Sequence, residues 1–178
     1  MSNVTIGSRN PSAKTLTAQF DLSWDNSWKT KINHDAVWVT VRLNKAGVNP
    51  VYKKLCSLTV AGLNPAGFST GNSADLELYV PQDKKGAFLR LQNYGVKTTV
   101  ESQAVQLIVD YQSCGFTAAD TVYLNIVAFE MVHMPRGAFY AGDYATSTAA
   151  LTQGSADSDS WFITTAGPIS VSNPTADG

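Results

Sequence analysis

The sequence predicts an all-β protein: an antiparallel β-sandwich, jelly-roll or immunoglobulin-like, of about nine or ten strands. Three observations predict it. Hydrophobicity alternates with a period of two in several runs. Gly, Pro, Asn and Asp clusters separate those runs. Glu is scarce, with 3 Glu against 11 Asp, 17 Thr and 11 Asn in 178 residues, a mixture that favours strands and turns over long helices. An N-terminal arm (1–12) precedes the sandwich (13–142), and an acidic, extended C-terminal tail (143–178) follows it.

Each element has its own signal. In the arm, Val4-Thr5-Ile6 is strand-like and could dock on its own sandwich or on a neighbouring subunit. Between Lys14 and Trp24, Leu16, Ala18, Phe20, Leu22 and Trp24 share one face, opposite Thr15, Thr17, Gln19, Asp21 and Ser23. That is a half-buried strand. A one-turn helix is expected near Asn26–Ile32. Val37, Val39, Val41 and Leu43 then alternate with Trp38, Thr40 and Arg42. Leu76, Leu78 and Val80 alternate with Glu77 and Tyr79, and Ala87, Leu89 and Leu91 with Phe88 and Arg90. Val105, Leu107, Val109 and Tyr111 interleave with Gln106, Ile108 and Asp110. A second helical turn is expected at Thr117–Asp120, with Thr117 as N-cap. Thr121–Met134 is almost continuously apolar, as a central strand covered on both faces would be.

Only 15% of residues are charged, against roughly 25% in an average domain. The net charge of -1 hides a split: residues 1–97 balance at +6 and residues 98–178 at -7. The tail has four acids and no base, and two apolar pieces interrupt it, Trp161-Phe162-Ile163 and Ile169-Ser170-Val171. These pieces suggest that the tail docks on protein.

Several functions are not expected. No run of 18 apolar residues exists, so no membrane insertion is expected. The start lacks a basic stretch followed by an apolar core, so the chain reads as made without a signal peptide, unless a leader was removed. Its final place would be a virion-like extracellular particle or a cell surface. Lysines do not interleave with aromatics in a nucleic-acid-binding pattern. Cys56 and Cys114 cannot build a disulfide framework or a four-ligand zinc site, and read as two buried thiols.

No catalytic, cofactor or metal site emerges. His34 and His133 have no ligand spacing, and read as loop and strand-end histidines. Asp157-Ser158-Asp159-Ser160 lacks the Gly and bidentate Glu of a calcium loop. No nucleophile elbow or phosphate-cradling glycine loop is present, and a Cys114–His dyad has no motif behind it. Aromatics remain. Trp24 and Trp38 read as core anchors, and Trp28 as an end cap or a stacking platform for a glycan.

Two stretches carry a resemblance. Phe20-Asp21-Leu22-Ser23-Trp24-Asp25-Asn26-Ser27-Trp28 with Asn33-His34-Asp35-Ala36-Val37-Trp38-Val39 is one, and Phe129–Asp143 is the other. They resemble a β-rich module of bacterial surface proteins that precedes a formylglycine-generating-enzyme-like (sulfatase-modifying-factor) domain. Trp161–Thr164 and Pro168–Val171 are similar to the connecting region of such proteins. The body of the enzyme-like domain and its paired active-site cysteines have no counterpart in this chain. The resemblance therefore implies a non-catalytic module standing alone.

These readings converge on a non-catalytic structural subunit that self-associates into a particle, filament or surface structure. A phage-like virion or virion-derived apparatus is the favoured setting. Its partners would be copies of itself and other structural proteins of the same assembly. Trp28, Trp161, Phe162 and Arg136 are the candidate contact residues. The alternative is a carbohydrate-binding or adhesion module that uses exposed tryptophans.

Overall fold

A computed structural model describes residues 1–49, 53–134, 137–141 and 161–164. The chain divides into two units, Met1–Met134 and Pro135–Gly178. The first contains β1 (Ser2–Asn10), β2 (Thr15–Lys29), β3 (His34–Lys45), β4 (Lys54–Leu55), β5 (Ser57–Leu58), β6 (Gly62–Leu63), β7 (Leu76–Val80), β8 (Ala87–Leu91), β9 (Gly95–Asp110) and β10 (Val122–His133). All ten belong to one antiparallel sheet, in the order β5-β9-β2-β3-β8-β7-β6, with β1 beside β2 and both β10 and β4 beside β3. β2 and β3 meet only at their hairpin, where Lys29 lies opposite His34. The sheet curls there. One half is β1-β2-β9-β5 and the other is β10-β3-β8-β7-β6.

The predicted inward positions line the shared core. Ala18 and Phe20 of β2, Val39, Val41 and Leu43 of β3, Leu78 and Val80 of β7, Leu89 of β8, and Val105, Leu107 and Val109 of β9 are all buried. Each such aliphatic or aromatic side chain stabilises the fold by about 1.5–3 kcal/mol through removal from water. The β2–β9 register shifts once, between Phe20 and Leu22. Ala104 takes a φ of +57° at this bulge, and its N–H donates to the Asp21 carboxylate at 2.8 Å.

The expected helix near Asn26–Ile32 is not formed. β2 continues to Lys29, with Asn26 at a φ of +58°, and the Thr30 N–H donates to the Asn33 carbonyl across the turn, 2.8 Å away. The cause is Asp35. Its carboxylate accepts the Trp24 indole N–H at 2.9 Å, the Ser27 hydroxyl at 3.0 Å and the Trp28 backbone N–H at 2.8 Å, which ties the end of β2 to β3. Thr117–Asp120 is a tight turn rather than a helix start, and Asp120 caps it by accepting the Thr117 N–H and hydroxyl. A short 3-10 turn forms instead at Gln112–Cys114 and ends at Gly115, whose φ is +83°.

The two buried cysteines are not free thiols. The 3-10 turn brings Cys114 beside Cys56, with Cα atoms 4.8 Å apart, and they form a disulfide. The arm docks on its own chain: Thr5 lies opposite Gln19 and Ile6 opposite Ala18. Arg9 extends over the Tyr111 ring and donates to the Thr117 carbonyl at 2.8 Å.

Thr121–Met134 also departs from expectation. Among the described residues β10 pairs with β3 alone, and Ile126 is its one buried residue. It is an edge strand, not a central one. Its continuous apolar character arises because Leu124, Ile126 and Ala128 face the core while Val127, Phe129 and Met131 line the outer face.

The second unit contains β11 (Phe139–Ala141) and β12 (Trp161–Ile163), which pair antiparallel. Tyr140 packs on Phe162, with ring centroids 4.6 Å apart. Ile169–Val171 and the Asp157–Ser160 loop lie outside the described residues.

Candidate interaction surface

The outer face of the β10-β3-β8-β7 half carries the unusual chemistry. An outer face normally alternates to polar residues. Here β3 turns Ala36 and Trp38 outward, and β10 sets Met131 and Phe129 opposite them. Phe88 of β8 lies opposite Trp38 with ring centroids 4.5 Å apart, and Tyr79 of β7 lies opposite Phe88. Phe129 is 56% exposed and Met134 80%. Gly86 lets the Trp38 indole lie flat: a Cβ there would come within 2.5 Å of the Val39 carbonyl oxygen and 2.6 Å of the indole ring. An open trough of about 610 Å³ runs across this face, with Tyr79, Phe88, Met131 and Met134 among its walls. Ligand sites typically span about 300–1,000 Å³.

One end of the trough is cationic and tightly bonded. Glu77 is buried, and it accepts from Lys29 Nζ at 2.8 Å and Arg90 Nε at 2.6 Å. Lys29 also donates to the Leu91 carbonyl at 2.9 Å. Burial alone would raise the Glu77 pKa; the hydrogen bonds from Lys29 and Arg90 overcome it and hold the carboxyl below its ordinary value. Arg90 Nη1 lies 2.9 Å from His34 Nε2. A guanidinium can only donate, so this ring nitrogen is the acceptor. His34 stacks on His133, the last residue of β10, with centroids 4.8 Å apart and planes 14° from parallel. Desolvation, then the charges of Arg90, His133 and Lys29, push the His34 pKa down.

The free edge of β10 completes the surface. The Thr121 carbonyl accepts from the Ala46 N–H, 2.9 Å away, which fixes the phase of the β3–β10 ladder. In an antiparallel ladder, alternate residues direct their backbone groups to the partner. Odd-numbered residues of β10 therefore face β3. Val122, Leu124, Ile126, Ala128, Glu130 and Val132 direct theirs away, where no strand pairs with them among the described residues. Natural edges are blunted with lysine, proline or bulges. β10 has no Lys, Arg, Pro or Gly, a single acid in Glu130, and an unbroken register with β3. β1 is the contrast, with two register irregularities, Asn3 at a φ of +50°, and Arg9.

The residues singled out from the sequence fall elsewhere. Trp28 is half-buried, lies opposite Val96 and does not line the trough. Phe162 packs on Tyr140 in the second unit. Arg136 and the side chain of Trp161 lie outside the described residues. Trp38 is not a core anchor but a half-buried residue of the outer face; Trp24 is buried. His34, Phe88, Tyr79, Phe129 and Met131 were not singled out as contact residues. The signal present in the sequence was apolar residues at outward positions of alternating runs. Among the described residues, no group of three or more His, Cys, Asp or Glu is placed to hold a metal ion. Comparisons with family models, with curated proteins and with solved structures return no match.

Proposed function

We propose that this protein is a non-catalytic structural subunit that self-associates through the β10 edge. The observation that carries the reading is this edge: β1 approaches β10 without pairing to it, no strand is hydrogen-bonded there among the described residues, and the exposed stretch from Phe129 to His133 is continuous with an apolar outer face. An added strand would satisfy the outward N–H and C=O groups of β10 and extend the sheet. A second copy of β10 fits about a two-fold axis, because an antiparallel edge is complementary to itself. Every two-fold register except the one centred on Glu130 keeps the two acids apart, so like charges do not oppose the pairing.

Growth beyond a pair needs a second contact. The +6 and -7 halves of the chain supply one, a head-to-tail contact that extends to rings or filaments. Part of this charge is already used within the chain, where Lys45 pairs with Asp120 at 2.7 Å. The favoured setting is a phage-like particle or a virion-derived apparatus, with a cell-surface layer as the variant. The Cys56–Cys114 disulfide suits a protein that works outside a reducing compartment. The resemblance of residues 20–28, 33–39 and 129–143 to a β-rich module of bacterial surface proteins is compatible with either setting. Light scattering across a salt series tests the reading: salt-sensitive oligomers support it, and a monodisperse monomer at low salt refutes it.

A second reading, carbohydrate binding, is favoured by one observation. Tyr79 and Phe88 stand beside Arg90 and His133 in the trough, an arrangement of aromatic platforms with polar groups. Glycan binding lost in Tyr79→Ala but kept in Trp28→Ala would support it.

A further inference from the structure

We propose that the proton on His34 acts as a latch: while the ring is neutral the C-terminal end of β10 stays closed on β3, and acid opens it. The Arg90 guanidinium has no acceptor atom, so its 2.9 Å contact with His34 Nε2 exists only while that nitrogen is unprotonated. The proton of the neutral ring therefore sits on Nδ1. A second proton, on Nε2, sets donor against donor and cation against cation.

The surrounding charges relieve this only in part, because the Asp35 charge favours the protonated ring. Arg90 on β8 and Lys29 on β2 are already cationic, and Glu77 on β7 is shared between them. Asp35, the next residue on β3, turns its carboxylate to Trp24, Ser27 and Trp28. His133 on β10 lies face to face with His34, with ring centroids 4.8 Å apart. The depressed pKa of His34 comes first from desolvation and then from these cations.

The geometry also says which part moves. β3 is held by β8 and β10 and by the core beneath it. The last residues of β10 are not: Met131, Val132 and Met134 are 47%, 52% and 80% exposed, and no second strand is hydrogen-bonded to this end among the described residues. Lifting residues 130–134 from β3 carries His133 away from the charged His34 ring and frees that ring to turn from Arg90, which stays on β8. The trough then loses the wall formed by Met131 and Met134. A consequence for assembly rests on the reading above: opening shortens the flat edge, so self-association weakens in acid.

Hydrogen exchange of the full chain at about pH 7.5 and about pH 5.5, corrected for intrinsic rates, tests the latch. The expected result is about tenfold or greater loss of protection at Met131 and His133, whose N–H groups face β3, at the lower pH, with core peptides of β2 and β9 unchanged. His34→Gln, whose amide oxygen accepts from Arg90 and does not titrate, should abolish the loss. Equal protection at both pH values, or a loss that survives in His34→Gln, overturns the proposal. NMR titration of the unaltered chain gives the same decision without a variant: amide shifts of residues 130–134 must follow the His34 titration. Light scattering on the same samples separates the two claims. Opening in a chain that is monomeric throughout refutes the assembly reading alone. Oligomers that persist while the strand end opens refute the acid control of assembly.

Discussion

Trp24 and Asp35 face each other across the β2–β3 hairpin, with the indole N–H donating to the carboxylate at 2.9 Å in a buried setting. The same carboxylate holds Ser27 and the Trp28 backbone, so one acid organises the end of β2. Replacing Asp35 with Ala strands buried donors, each worth about 1–3 kcal/mol when left unpaired. Asp35→Ala should lower stability by roughly 3 kcal/mol in denaturant titration. Trp24→Phe, which removes one donor and keeps the ring packing, should lose less.

Cys56 and Cys114 are 58 residues apart, so their disulfide closes a long loop in the unfolded chain. A loop of that length corresponds to roughly 4 kcal/mol of stabilisation. Joint substitution of both cysteines by Ser should lower the melting temperature and leave the sheet intact by circular dichroism. An unchanged melting temperature would show that the bridge contributes nothing.

Acid should weaken the fold in two stages. Glu77 lies below its ordinary value of 4.5, so its contribution is present above that pH and is lost as pH falls through the lower folded value. His34 lies below its ordinary 6.5, so the unfolded chain takes up that proton first. Stability therefore begins to fall as pH drops below 6.5 and falls again below 4.5. Denaturant midpoints across this range check both stages, and Glu77→Gln should diminish the lower one, leaving the part that Asp21 and Asp120 contribute below their ordinary 3.8. That variant also leaves Lys29 and Arg90 without their acid, which should cost roughly 3 kcal/mol at neutral pH.

The core was readable because alternation alone assigns it. Phe20 and Leu89 follow from the period of two and are buried as that period requires. The pattern of β10 is ambiguous for a physical reason. An edge strand with an apolar outer face has the same pattern as a central strand covered on both sides, and position in the sheet is set by pairing, which is not local. The Cys56–Cys114 bridge and the His34–Arg90 contact depend on the same long-range register. Trp38 shows the limit from the other side: it reads as a core anchor although the alternation sets it outward, because its packing over Gly86 and against Phe88 depends on residues far along the chain.

Gly86→Ala tests that packing. The added methyl would drive the Trp38 ring off its seat, changing indole fluorescence and destabilising the chain by about 1–3 kcal/mol. Fluorescence and stability like those of the unaltered protein would show that the indole is held elsewhere.

The central claim is that copies join through the free edge of β10, and proline on that edge tests it directly. The Glu130 N–H points away from β3, so Glu130→Pro removes no β3–β10 hydrogen bond but blocks an incoming strand. Val127→Lys on the outer face is the companion variant, with an unaltered backbone. Light scattering of the three proteins at low salt should give oligomers for the unaltered chain and smaller species for both variants, all with the same β-rich circular dichroism. Oligomers of undiminished size in both variants would contradict it.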